Sequence, residues 1–121
     1  MINKLESKAN IAYTIFRVVV GLLFAQHGAQ KLFGWFGGTP ADLISKMGLA
    51  GTIELIAGLL IAIGLWTRIA AVLGALDMIG AYITVHATQG LIPIVNNGEL
   101  ALLYLVCFLI IITHGKQTKH K

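Results

Sequence analysis

Apolar residues along this chain come in long unbroken runs rather than in the one-face stripe of a water-soluble helix. Residues 18–25, VVVGLLFA, carry no polar side chain, so a helix there has no side that prefers water. Runs of this kind, at residues 11–33, 47–66, 68–88 and 99–114, come near the about 20 apolar residues that a helix needs to cross a bilayer. The last is the shortest and is expected to extend along its polar tail. The segments between the runs read as turns. After WFGG, Thr39, Pro40 and Asp42 supply an N-cap, a first-turn proline and a carboxylate that bonds back to the cap. That pattern predicts a short interfacial helix over residues 40–46. Trp66, Thr67 and Arg68 make a tight reversal. Residues 89–98 mix turn formers such as Gly90, Pro93, Asn96, Asn97 and Gly98 with Leu91, Ile92, Ile94 and Val95. This loop is expected to dip into the interface or to fold over the end of the bundle. No linker or shift of composition divides the chain. The expectation is a single domain over residues 1–121, an all-α membrane protein built as an antiparallel four-transmembrane-helix bundle with a short interfacial helix in its first outer loop.

Composition agrees. Of the 121 residues, 57% are hydrophobic and 12% charged, against about 25% charged in soluble domains. A soluble chain this short has too little interior for so much apolar surface. The net charge of +4 does not point to nucleic acid, because the basic residues sit at the chain ends and in short loops. Lys4, Lys8, Arg68, Lys116, Lys119 and Lys121 fall on one side of the expected bundle, and Lys31 and Lys46 on the other. By the positive-inside rule, both termini are cytoplasmic in a multi-pass protein of the cell inner (plasma) membrane. Arg17 interrupts the first apolar run and no small-x-small site follows, so the N-terminal stretch is expected to be retained rather than cleaved. The single cysteine, Cys107, lies in an apolar run, which excludes an intrachain disulfide or thiol pair.

The candidate chemistry lies in the charges that the membrane segments carry. Arg17, Glu54 and Asp77 fall at similar expected depths, one cation between two carboxylates. Each is costly if left alone in hydrocarbon, so a structural ion pair of Arg17 with Glu54, Asp77 or both is expected. Glu54 shares a helical face with Gly51 and Gly58, and Asp77 shares one with Gly74, Ala81 and Thr84, so close helix packing is expected around both. A second cluster gathers towards the outer end: Gln26, His27, Gln30 and Lys31, Tyr82 and His86, and Glu99 beside Asn96 and Asn97. The expected topology brings these to one side, predicting a pocket lined by His27, Gln30, Lys31, Glu54, Tyr82, His86 and Glu99, with Trp35 and Phe36 as its apolar wall. Within it Glu54 and His27 are the candidates for catalytic proton exchange. Polar groups near a helix end can equally well meet only headgroups and water. Two histidines on different spans could ligate a haem, a reading disfavoured by their unequal depth. No Cys/His set suits zinc, and no phosphate loop, nucleophile elbow or dinucleotide fingerprint occurs.

The blocks HGAQKLFGWFGG, AGTIELIAGLLIAIGLWTR, ALDMIGAYITVH and NNGELALLYL, in that order, resemble the DoxX family of small bacterial and archaeal membrane proteins. The resemblance covers residues 17 to about 108 and implies a four-helix membrane bundle. The family's matching positions are Arg17, His27, Gln30, Lys31, Glu54, Arg68, Asp77, His86, Asn97, Gly98, Glu99 and Tyr104. The resemblance also implies a quinone-linked setting, since the family takes its name from a small subunit associated with a terminal quinol oxidase.

Three classes of function remain open. As a component of a quinone-linked oxidoreductase system, the chain would bind a quinone headgroup. As a small-molecule binding or transport protein, it would hold a polar solute without redox change. As a non-catalytic assembly subunit, it would pack its glycine-rich faces against oxidoreductase subunits or against copies of itself. The lipid bilayer is the partner common to all three.

Overall fold

The computed structural model describes residues 2–116. Lys119 and Lys121, two of the cations in the orientation argument, lie outside the described residues. Helix α1 runs over Ile2–Phe33 without a break, nine residues earlier than the apolar run begins, because no proline or cap stops it. It ends where Gly34 adopts φ 72°, a left-handed conformation that a side chain would strain.

The expected interfacial helix over residues 40–46 is not formed. Those residues make a turn, and the cap is Ser45 instead of Thr39. Ser45 Oγ accepts from the Gly48 amide at 3.0 Å and starts α2, Lys46–Ile63. The Asp42 carbonyl accepts from both Ser45 N and Ser45 Oγ, so it is committed to the turn, and Ala41 N ties the loop back to the Lys31 carbonyl at 2.8 Å.

Helix α2 closes at Gly64 (φ 80°), whose amide and that of Leu65 both bond Leu60 O. Helix α3, Thr67–Ala81, follows after Trp66. It continues as a π-helical turn, Tyr82–His86, and a 3-10 turn, Ala87–Gln89. Thr84 Oγ1 donates to the Gly80 carbonyl at 2.7 Å, the acceptor that an α-helical Thr84 amide would use. After the single turn α4, Pro93–Asn96, comes α5, Glu99–His114.

The bundle is two helix pairs side by side. Helix α1 lies along α2, α3 lies along α5, and α2 joins the pairs through α3, while α1 and α5 touch only lightly. Phe24, Ile61, Phe108 and Ile111 fill the centre. Around the outside, Leu22, Leu59, Leu73 and Leu103 are among many large apolar side chains left exposed, an outer surface that suits lipid rather than water. Three helical stretches, Asn3–Phe33, Lys46–Ile63 and Thr67–Gln89, are long and apolar enough to cross a membrane, and α5 is a shorter apolar helix. The molecule is an all-helical membrane bundle in contact with the bilayer.

Candidate functional site

The site begins with glycines. A Cβ on Gly21 would lie 2.6 Å from Gly58 O, and one on Gly58 would lie 2.6 Å from Gly21 O. Seven residues along, Gly28 and Gly51 repeat the arrangement, with Gly51 O 2.6 Å from a Cβ on Gly28. Backbone therefore meets backbone along the α1–α2 seam. The end of this seam nearest the first loop holds Lys31 beside Gly51 and brings Lys31 Nζ to Glu54 Oε2 at 2.5 Å.

Glu54 is 1% exposed, and the Lys31 side chain 24%. On α3, Asp77 is the other ionisable neighbour whose side chain acts on Glu54. Two carboxyls and one ammonium thus lie in an apolar interior, a set that carries one net negative charge with both carboxyls ionised. Glu54 Oε1 and Asp77 Oδ2 are both buried without a hydrogen-bond partner among the described residues.

Arg17 is elsewhere, which corrects the expected pairing with Glu54 or Asp77. Its guanidinium donates to the Ile61 carbonyl and, at 3.2 Å, to the Ala62 carbonyl, in the last turn of α2. Helix C-terminal carbonyls lack amide partners and carry partial negative charge, so a buried arginine level with them caps that helix. Arg68 makes the equivalent contacts at the end of α5, with Nε to Ile112 O at 2.9 Å and Nη2 to Thr113 O at 3.3 Å. Helix α1 extends well beyond the end of α2, so residue 17 lies level with the last turn of α2 instead of near the depth of Glu54.

Glu54 and Lys31 open on a cavity of ≈ 230 Å³ whose other polar lining is His27, His86, Asn97 and Tyr104, closed by Phe24, Met78 and Ala101. His86 Nδ1 lies 3.0 Å from the Asn96 carbonyl. A carbonyl can only accept, so Nδ1 carries the proton and Nε2 of a neutral ring is left as an acceptor. The His27 ring stands edge-on to Tyr104, with centroids 5.7 Å apart.

The expected single pocket is in fact two. Gln30 and Phe36 line a neighbouring groove of ≈ 300 Å³ with Leu23 and Gln26, and His27, Leu100 and Tyr104 form the wall shared with the inner cavity. Three expected residues, Tyr82, Glu99 and Trp35, line neither space. Tyr82 Oη instead accepts from Asn96 Nδ2 at 3.0 Å, and Glu99 is exposed in the first turn of α5. Trp35 packs on Phe33 and Phe36.

Asn96, fully buried at 0% exposure, organises the second loop. Besides Tyr82, its Nδ2 donates to Gly90 O at 3.0 Å and its Oδ1 accepts from Gly98 N at 2.8 Å. Asn97 and Tyr104 line the inner cavity without having been among its expected residues, although both are among the family's matching positions. Phe24, Met78 and Ala101 gave no signal, being apolar residues in apolar helices.

Comparison with known proteins places these residues in context. The family model described as DoxX matches residues 12–87, which include Lys31, Glu54, Asp77 and His86. A protein of Haemophilus influenzae, described only as an uncharacterized protein, is 36% identical over 120 residues, covering 93% of this chain and 90% of its own. No solved structure matches the chain at a significant level.

Proposed function

The chain belongs to the DoxX family, and on that premise we propose that it is the membrane component of a quinone-linked redox system, holding a quinone or quinol headgroup in its inner cavity. The observation that carries this reading is the Lys31–Glu54 pair on the wall of that cavity, with Asp77 on α3 as the further ionisable neighbour of Glu54. A cavity of about 150 Å³ is enough to admit benzene, so ≈ 230 Å³ suits a substituted six-membered ring. A quinol hydroxyl is a donor, and the lining residues Glu54 and His86 carry two candidate acceptors in Glu54 Oε1, without a hydrogen-bond partner among the described residues, and His86 Nε2. A quinone carbonyl is an acceptor, and Lys31 supplies the donor.

Oxidation of a bound quinol breaks two O–H bonds and releases two protons and two electrons. The carboxyl pair takes one proton and a histidine, His27 or His86, takes the other. The electrons pass to the redox centre of a partner oxidoreductase subunit. Lys31 holds the headgroup oxygen and offsets the charge of one carboxylate, so uptake of one proton by the carboxyl pair leaves the three groups neutral.

In this reading all four long helices cross the plasma membrane and both termini are cytoplasmic. The cavity then lies towards the outer face, and protons leave by the loops at that end.

The test is titration of the purified protein in lipid nanodiscs with a quinol, followed by heat release and by absorbance. Glu54→Gln and His27→Gln are each expected to weaken binding about tenfold, the loss of one good polar contact. Binding unchanged in both variants would remove the proposal. Co-purification of an oxidoreductase whose turnover ignores both substitutions would leave the chain as an assembly subunit.

A further inference from the structure

Of the spaces in the bundle, the outer groove is the one the headgroup reading leaves unused. It shares His27, Leu100 and Tyr104 with the inner cavity and lies where α1 and α5 touch only lightly. The rims of this seam are apolar and open outward, with Leu23 on α1 at 48% exposure and Leu100 on α5 at 49%. At the loop end of the bundle, hydrogen bonds hold both loops in place. Asn96 draws residues 90–98 onto Tyr82 and His86. The first loop is tied down by Ala41 N to Lys31 O and by Gln30 Nε2 to Phe36 O.

We infer that the ligand reaches the inner cavity sideways from the bilayer, between α1 and α5, and that it is an amphiphile whose single apolar tail occupies the outer groove. This rests on the headgroup reading and narrows it. A water-soluble solute has no use for a groove that opens on lipid, whereas a tailed molecule dissolved in the bilayer meets the opening directly and keeps its tail in apolar surroundings throughout. Gln26 and Gln30 stand in the groove near Phe36 and meet the polar atoms where head joins tail.

The experiment reads the route first, without any ligand. Ala101→Cys, and separately Ala81→Cys, each on the inner cavity, are made in a Cys107→Ala background and reconstituted in nanodiscs. Labelling by dodecyl maleimide and by a charged, membrane-impermeant methanethiosulfonate is normalised to each reagent's rate at Thr39→Cys in the first loop. The tailed reagent is expected to label the cavity cysteine about tenfold faster or more, since its tail concentrates it in hydrocarbon. Leu23→Trp, which fills the groove, is expected to remove that advantage. Equal normalised rates for the two reagents, or a tailed rate indifferent to Leu23→Trp, would overturn the lateral path.

Protection of the same cysteines from N-ethylmaleimide by methyl and dodecyl 4-hydroxybenzoate then reads head and tail. The dodecyl ester is expected to lose its protection in Leu23→Trp while the methyl ester keeps it. Loss of neither would overturn the tail assignment. If neither ester protects while labelling remains lateral, the path stands and the headgroup reading falls.

Discussion

Arg17 and Lys31 are both cations on α1, yet they meet different acceptors, and their substitutions separate the two. Arg17, 5% exposed, gives charged hydrogen bonds to two carbonyls at the end of α2. Bonds of that kind contribute about 1.5–3 kcal/mol each, so Arg17→Leu is expected to lower unfolding stability in detergent by about 2 kcal/mol or more. Adding Glu54→Gln and Asp77→Asn should not recover the loss, since neither carboxyl touches Arg17; recovery would restore the pairing that the sequence suggested. Lys31 behaves oppositely. Lys31→Met leaves Glu54 buried without its cation, a loss of about 3 kcal/mol on the scale for breaking buried pairs. Adding Glu54→Gln should return most of that stability. A thermal-melt double-mutant cycle with no coupling between these positions would refute the pair. The identity of these cations was plain in the sequence. Their partners were not, because a partner depends on which helix end lies level with which residue.

At the scale of elements, the seam between α1 and α2 decides whether a site exists. Gly21, Gly28, Gly51 and Gly58 stand seven apart on each helix and interlock backbone to backbone. A methyl group at Gly28 or Gly58 meets main chain, which cannot swing aside as a side chain can. Gly28→Ala and Gly58→Ala are therefore expected to destabilise by about 1–3 kcal/mol, and in Gly28→Ala to weaken the Lys31–Glu54 pair by parting the helices. Gly80 is the control. It lies in α3 with nothing within 4 Å of an added Cβ, so Gly80→Ala should be neutral or stabilise by up to about 1 kcal/mol. Equal effects at Gly28 and Gly80, measured by unfolding of both variants, would show that the seam does not need its glycines. The apolar runs located the long helices well. They failed at residues 40–46, where a threonine, a proline and an aspartate imitate a helix start. Cap chemistry at Thr39 and at Ser45 is nearly equivalent in sequence, and the Asp42 and Lys31 carbonyls settle which one acts.

For the whole molecule, the apolar outer surface and the basic residues near one end bear on orientation. Arg17, Arg68 and Lys116 gather where α2 and α5 finish, and Lys31 and Lys46 lie at the opposite end. Placed in a membrane with the more basic end inward, the bundle puts the first loop outside. Cysteines at Thr39 and Lys116 are expected to react with an impermeant thiol reagent from opposite faces of sealed membranes. Labelling from the same face would refute the four-crossing arrangement.

The sequence by itself determined that the chain is helical, membrane-bound and a member of its family, since run length and composition are summed along the chain and do not depend on who faces whom. It also named most of the polar residues of the site, because ionisable groups in apolar helices are conspicuous. Only the tertiary structure decided that Lys31, not Arg17, meets Glu54, that Tyr82 serves Asn96, and that one expected pocket is two spaces with a shared wall. Those outcomes depend on the relative sliding of helices by a turn or so. Apolar residues such as Leu, Ile and Val, nearly interchangeable in lipid, do not set that register; glycine contacts and helix-end hydrogen bonds do.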